Sequence, residues 1–182
     1  MTQTINTATP DYIVDSVLTD GEAWVPLITT VVSGTSTSNV QMQSSTGAND
    51  WSQYMDLVIV GYARSLGAGG VVSMTLNNDT TAGSYEGHIM QSNGASKASY
   101  TQSLTSADIA VVARSSDTAN IFGSFVCRLH DINSGKYTSL LSTRANNMQG
   151  SGSPNIVAVT GFSWKNQAAV TEIDVFISGH NW

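Results

Sequence analysis

Charge is too scarce in this chain to coat the outside of helices. Only 11% of its 182 residues are Asp, Glu, Lys or Arg, against about 25% in an average globular protein. Glu, Lys and Arg are the residues that helix surfaces draw on, so long helical architectures are excluded. Polarity comes instead from Ser, Thr, Asn, Gln and Gly, which suit turns and strand surfaces. Hydrophobic residues still make up 41%. That is enough for one domain with its own core, and it excludes disorder of the low-hydrophobicity kind.

Short apolar runs separated by small polar clusters set the architecture. The runs are Val25–Val32, Tyr54–Arg64, Val71–Leu76, Tyr85–Gln91, Asp108–Arg114, Ile121–Ile132, Lys136–Arg144, Ile156–Trp164 and Glu172–Ser178. Turn signals fall at SSTGAND, GAGG, NNDTTAGS and NSGK, a spacing typical of strand proteins. The LVIV core of Tyr54–Arg64 is apolar on both faces and predicts a strand buried on both sides. Ile156–Trp164 reads as a second buried run. Residues 92–107 read as a long exposed loop. Phe125, Cys127 and Leu129 share one strand face, as do Ile173, Val175 and Ile177. The expected fold is all-β: an antiparallel, jelly-roll-like β-sandwich spanning 21–182, preceded by an extended N-terminal arm at 1–20.

Few residues point to chemistry. The net charge of −6 and the lack of a basic patch give nucleic acid no electrostatic grip. No apolar stretch is long enough for a membrane-spanning helix. The polar opening MTQTINTATPDY has neither the basic start nor the apolar core of a secretory signal, so synthesis in a reducing cytoplasm is expected. One cysteine, Cys127, excludes an internal disulfide and multi-cysteine zinc sites. His88, His130 and His180 lie far apart, without metal-ligand spacing. Gly161-Phe162-Ser163-Trp164-Lys165 lacks the final glycine and following helix of a nucleophile elbow. Asn77, Asn78 and Asp79 read as a polar turn before they read as calcium ligands. The acidic residues display no obvious catalytic pair, and no cofactor is expected. Trp51, beside a turn, and Trp182, at the chain end, are candidates for a surface or subunit contact, together with Tyr12, Ile13 and Val14 of the arm.

Four ordered segments carry a resemblance: WSQYMDLVIVGYARS; VVSMTLNNDTTAGSYEGHIM; TANIFGSFVCRLHDINSGKYTSLLSTRANN; and IVAVTGFSW with AAVTEIDVFISG. Together they resemble a family of small virion structural proteins of tailed, often marine, bacteriophages. The shared features fall on Tyr62–Ser65, Asn77–Asp79 with Tyr85, Phe122-Gly123, Asp131-Ile132, Lys136-Tyr137, Trp164 and Val170–Ile173. The closing VFISGHNW departs from the family pattern. The resemblance implies a non-enzymatic jelly-roll protein on the virion surface. The size of the chain, nearly all one domain with no coiled-coil heptads or shaft repeats to attach it to a tail, favours a head decoration, or cement, protein acting as a homotrimer on the major capsid protein. A tail-associated or fibre-tip module that binds host glycans is the alternative.

Overall fold

A computed structural model describes residues 13–14, 17–18, 26–33, 37–146 and 155–182. Of the predicted arm, two two-residue strands are described, β1 (Ile13–Val14) and β2 (Val17–Leu18), which pair antiparallel. The rest of residues 1–20, Tyr12 included, lies outside the described residues.

Ten strands build two antiparallel sheets that pack face to face. The four-stranded sheet has the order β3 (Asn39–Gln43), β12 (Glu172–Ile177), β5 (Val71–Leu76), β8 (Ala107–Val111). The six-stranded sheet has the order β4 (Leu57–Ala63), β9 (Gly123–His130), β10 (Thr138–Asn146), β11 (Ile156–Trp164), β6 (Tyr85–Ser92), β7 (Lys97–Leu104). The chain crosses between sheets at β3–β4, β4–β5, β5–β6, β7–β8, β8–β9 and β11–β12. This is the double Greek key of a jelly roll, with a meander of β9, β10 and β11 where a simple jelly roll has one strand.

Period-two alternation decides what is inside. Phe125, Cys127 and Leu129 of β9 point inward, as do Leu140 of β10, Phe162 and Trp164 of β11, and Ile173, Val175 and Ile177 of β12. Two glycines are required by this packing. Gly61 is the register partner of Phe125, and a Cβ on it would lie 2.1 Å from the ring. Gly87 faces Phe162 in the same way, at 2.3 Å. Each phenylalanine lies over the bare backbone of the neighbouring strand.

Three expectations need correction. The LVIV strand is not buried on both sides: β4 is an edge strand, and Val60 on its outward face is 75% exposed. Ile156–Trp164 is buried on one face only, with Val157 and Val159 exposed. Residues 92–107 are not one long loop, because Lys97–Leu104 is β7, paired along its length with β6. Its side chains are mostly exposed, so it lacks the apolar alternation that marks an interior strand.

Replacing Gly61 or Gly87 by Ala is expected to destabilise the chain by about 1–3 kcal/mol through overpacking. The check is urea unfolding of G61A and of G61A combined with Phe125→Leu. The second change should restore part of the loss, and equal losses would mean that the Phe125 ring is not the obstacle.

Candidate functional site

Among the described residues, the outward face of the six-stranded sheet carries a row of exposed apolar side chains. The strand registers align one row across it: Val60, Val126, Thr143, Val159, Met90, Ser99. Above it run Tyr62, Ser124, Ala145, Val157 and Ser92, and below it Val58, Arg128, Leu141, Gly161 and His88. Tyr62, Val157, Met90 and Leu141 are exposed. At the β4 edge, Tyr62 stacks on Phe122 with ring centres 4.9 Å apart, adding an aromatic corner. The central row itself holds no charge, and Arg128 stands in the row below it. His130 pairs with Asp56 at 3.1 Å, and Lys165 with Glu86 at 2.8 Å.

A second feature is a cavity of about 830 Å³ between the sheets, opening between edge strands β3 and β4. Trp51, Trp182, Met42, Leu57 and Phe125 are among its walls, and residues 26–30 run along it. Both tryptophans named in the sequence therefore meet here. Trp51 is only 2% exposed and already belongs to the core of its own chain, so it has no open ring for a sugar or a partner. Trp182 is half-buried against the same core, and its backbone N–H donates to the Thr37 carbonyl at 2.9 Å. Ile13 and Val14 sit in the β1–β2 pair.

The Asn77–Asp79 motif is a turn that locks the core. Asn77 and Asn78 take positive φ values of 51° and 55°, which Asn tolerates better than most residues. Asp79 accepts hydrogen bonds from the Thr81 N–H at 3.0 Å and from buried Trp164 Nε1 at 2.8 Å. Burial alone would raise the Asp79 carboxyl. These donors and Ser84 overcome that and hold it at about 2. Next to this turn, the Leu76 N–H donates to Tyr85 Oη at 2.7 Å. These carboxylate and carbonyl positions are already engaged in the fold.

The other residues singled out in the sequence are structural in their placement. His88 Nε2 lies 2.6 Å from Ser99 Oγ, and the His180 ring rests on Gly67 and Gly69 of the GAGG loop. Cys127 is buried, and desolvation pushes its thiol up to about 12, so it holds a proton rather than acting as a nucleophile. Ser163 lies on β11 with no helix after it. Among the described residues, no three His, Cys, Asp or Glu side chains group as metal ligands.

Sequence reading missed two polar features. Arg144 faces inward on β10 and is buried, its Nε and Nη1 atoms without a partner. Desolvation lowers the pKa of its guanidinium, against the opposing pull of Tyr100 and Asp108. Alternation through LLSTRAN puts it inward, but the charge argued for solvent. The second is a cluster of carboxylates and amides on the outer face of β12, around Glu172 and Asp174. Its signal is the EID spacing, which puts both acids on one strand face.

The chain matches no family model, no curated protein and no solved structure.

Two outcomes test these placements. Asp79 has a depressed pKa in the fold, so its contribution is present above about pH 4 and is lost as the pH falls toward 2. Urea midpoints of wild type should drop between pH 5 and pH 3 more than those of Asp79→Asn. Parallel curves would remove Asp79 from the acid response. Arg144→Met should leave stability equal or higher, because an unpartnered buried guanidinium carries a desolvation cost that a methionine does not. A lower urea midpoint would show that Arg144 has a compensating partner.

Proposed function

We propose that this chain is a non-catalytic structural protein of a virion surface, a head decoration subunit that works as a homo-oligomer. In this reading a neighbouring copy packs on the outward face of the six-stranded sheet, and the oligomer sits on the shell built by the major capsid protein.

The observation that carries the reading is the apolar row from Val60 to Met90, crossing five strands on a face that no other described residues cover. Large uncovered apolar patches mark contact surfaces. The whole sheet face around the row, polar positions included, has the extent of a protein interface. Six strands at about 4.8 Å spacing and eight or nine residues at about 3.3 Å give a face on the order of 700 Å². A standard interface takes roughly 800 Å² from each partner. Its chemistry suits a copy of the same chain. The row is Val, Thr and Met, so a neighbour that also carries −6 meets no like charge along it. The virion setting comes from the sequence resemblance, and the jelly roll is compatible with it, since that architecture recurs in capsid proteins and in much else.

Sedimentation equilibrium of the wild type at tens of micromolar should give the mass of three chains. Val159→Lys, in the middle of the row, should give a single chain with an unfolding midpoint close to that of wild type, because the position faces outward. A monomeric wild type would overturn the self-contact. On a virion that carries the protein, its copy number should be a simple ratio to the major capsid protein. A few to a few tens of copies would place it on the tail instead.

A further inference from the structure

The core is least finished along the cavity between the sheets, which the assembly reading does not use. Among the described residues, six hydrophobic side chains pack on the core yet keep part of their surface: Leu27, Met42, Ile59, Ala63, Leu104 and Trp182. All but Leu104 line this cavity. It touches every residue of β4 from Leu57 to Ala63, a strand length of about 20 Å. Its volume of about 830 Å³ lies within the range of about 300–1,000 Å³ that small-molecule sites occupy.

The chemistry of the walls selects the occupant. Among the described residues, no Lys or Arg lines the cavity, and Asp56 is its one charged group. That carboxylate is already engaged: the Asp131 N–H donates to it at 3.0 Å, and His130 Nδ1 lies 3.1 Å away. The polar side-chain atoms of Trp51, Tyr54 and Trp182 have no exposed surface, so none of them faces the space. Thr29 and Thr30 line it from exposed positions. An anionic head group would find no cation here. Water gains few partners from aliphatic and aromatic walls, whereas a hydrocarbon gains from each Å² of wall it covers.

We propose that this cavity binds an uncharged, elongated, hydrocarbon-rich molecule that lies along β4 between the two sheets. A hydroxyl end on such a molecule would meet Thr29 and Thr30. β3 forms the opposite wall and offers a way to close the site. Val40 and Met42 are the register partners of Val175 and Ile173 on β12. Partners across a ladder point to the same side of a sheet, so both side chains face the core side, where Val175 and Ile173 are buried. Val40 and Met42 themselves are only half-buried, and both line the cavity. A larger side chain at either position enters the cavity rather than the packed core.

The test uses the full chain and the uncharged fluorophore N-phenyl-1-naphthylamine. Its emission should rise and shift to the blue, with one saturable site per chain. 1-Decanol should displace it at lower concentration than decanoate, which has the same chain length and an anionic head. Val40→Trp should weaken probe binding by about tenfold or more, because the indole covers wall that the probe needs. Its urea midpoint should be at or above that of wild type, since the change fills a void. Met42→Trp repeats the measurement should Val40→Trp fail to fold. Val159→Lys, on the outer face of the other sheet, should bind the probe as wild type does, whether or not wild type self-associates. No saturable signal would overturn the site, as would full binding by a folded β3 variant. Loss of binding in Val159→Lys would overturn it too, by placing the probe on the outer sheet face. Displacement by decanoate as effective as that by 1-decanol would overturn the uncharged class of ligand.

Discussion

A sheet has two faces, and among the described residues only one face of the larger sheet is covered. Four strands pack on the inner side of six, and β8 fills the middle of that contact by lying over β10 and β9. The inner side takes Phe125, Leu129, Leu140, Phe162 and Trp164. The outer side keeps Val60, Tyr62, Val157 and Met90 in solvent. Burial of the first set stabilises the fold, at about 25 cal/mol for each Å² of apolar surface removed from water. The same coefficient applies to the second set once another surface closes on it. The asymmetry between the faces thus supplies both a driving force for folding and an unused one for association.

Sequence logic worked wherever alternation met a single buried face. Val71–Leu76 is β5 to the residue. The inward sets Phe125, Cys127, Leu129 and Ile173, Val175, Ile177 follow from period two alone. It failed where burial depends on a strand's place in the sheet. LVIV is apolar on both sides, and nothing local says that β4 stands at an edge. KASYTQSL has little apolar content, and only pairing with β6 makes it a strand. Trp51 sits beside a turn, where exposure is the natural guess. Yet Asn133 reaches across to donate to the Trp51 and Tyr54 carbonyls at 2.8 Å and ties that turn down over the core.

The candidate sites were legible to different depths for the same reason. Part of the apolar outer row was present in the sequence as LVIV and IVAVTGFSW, both of which read as buried runs. The carboxylate pair was present as EID. Its surroundings come from β3, and from Asn78 beyond the end of β5, which flank β12 only after the long crossings of the jelly roll are made. Gln41 and Gln43 lie more than 120 residues from Glu172 in sequence. A site assembled from antiparallel neighbours at such separations leaves no motif, because no spacing along the chain encodes it.

Polar burial distinguishes the two outer faces. On the six-stranded face the five positions from Val60 to Met90 offer one polar side chain, Thr143, so the penalty to a partner closing there is concentrated in the flanking rows. On the four-stranded face, Glu172 would have to give up water beneath any protein that covered it, and burying unneutralised charge is expensive. A covering partner therefore favours the six-stranded face. The core that separates the two faces also keeps them energetically independent, since groups on opposite sides of a sandwich share no contacts through which to couple.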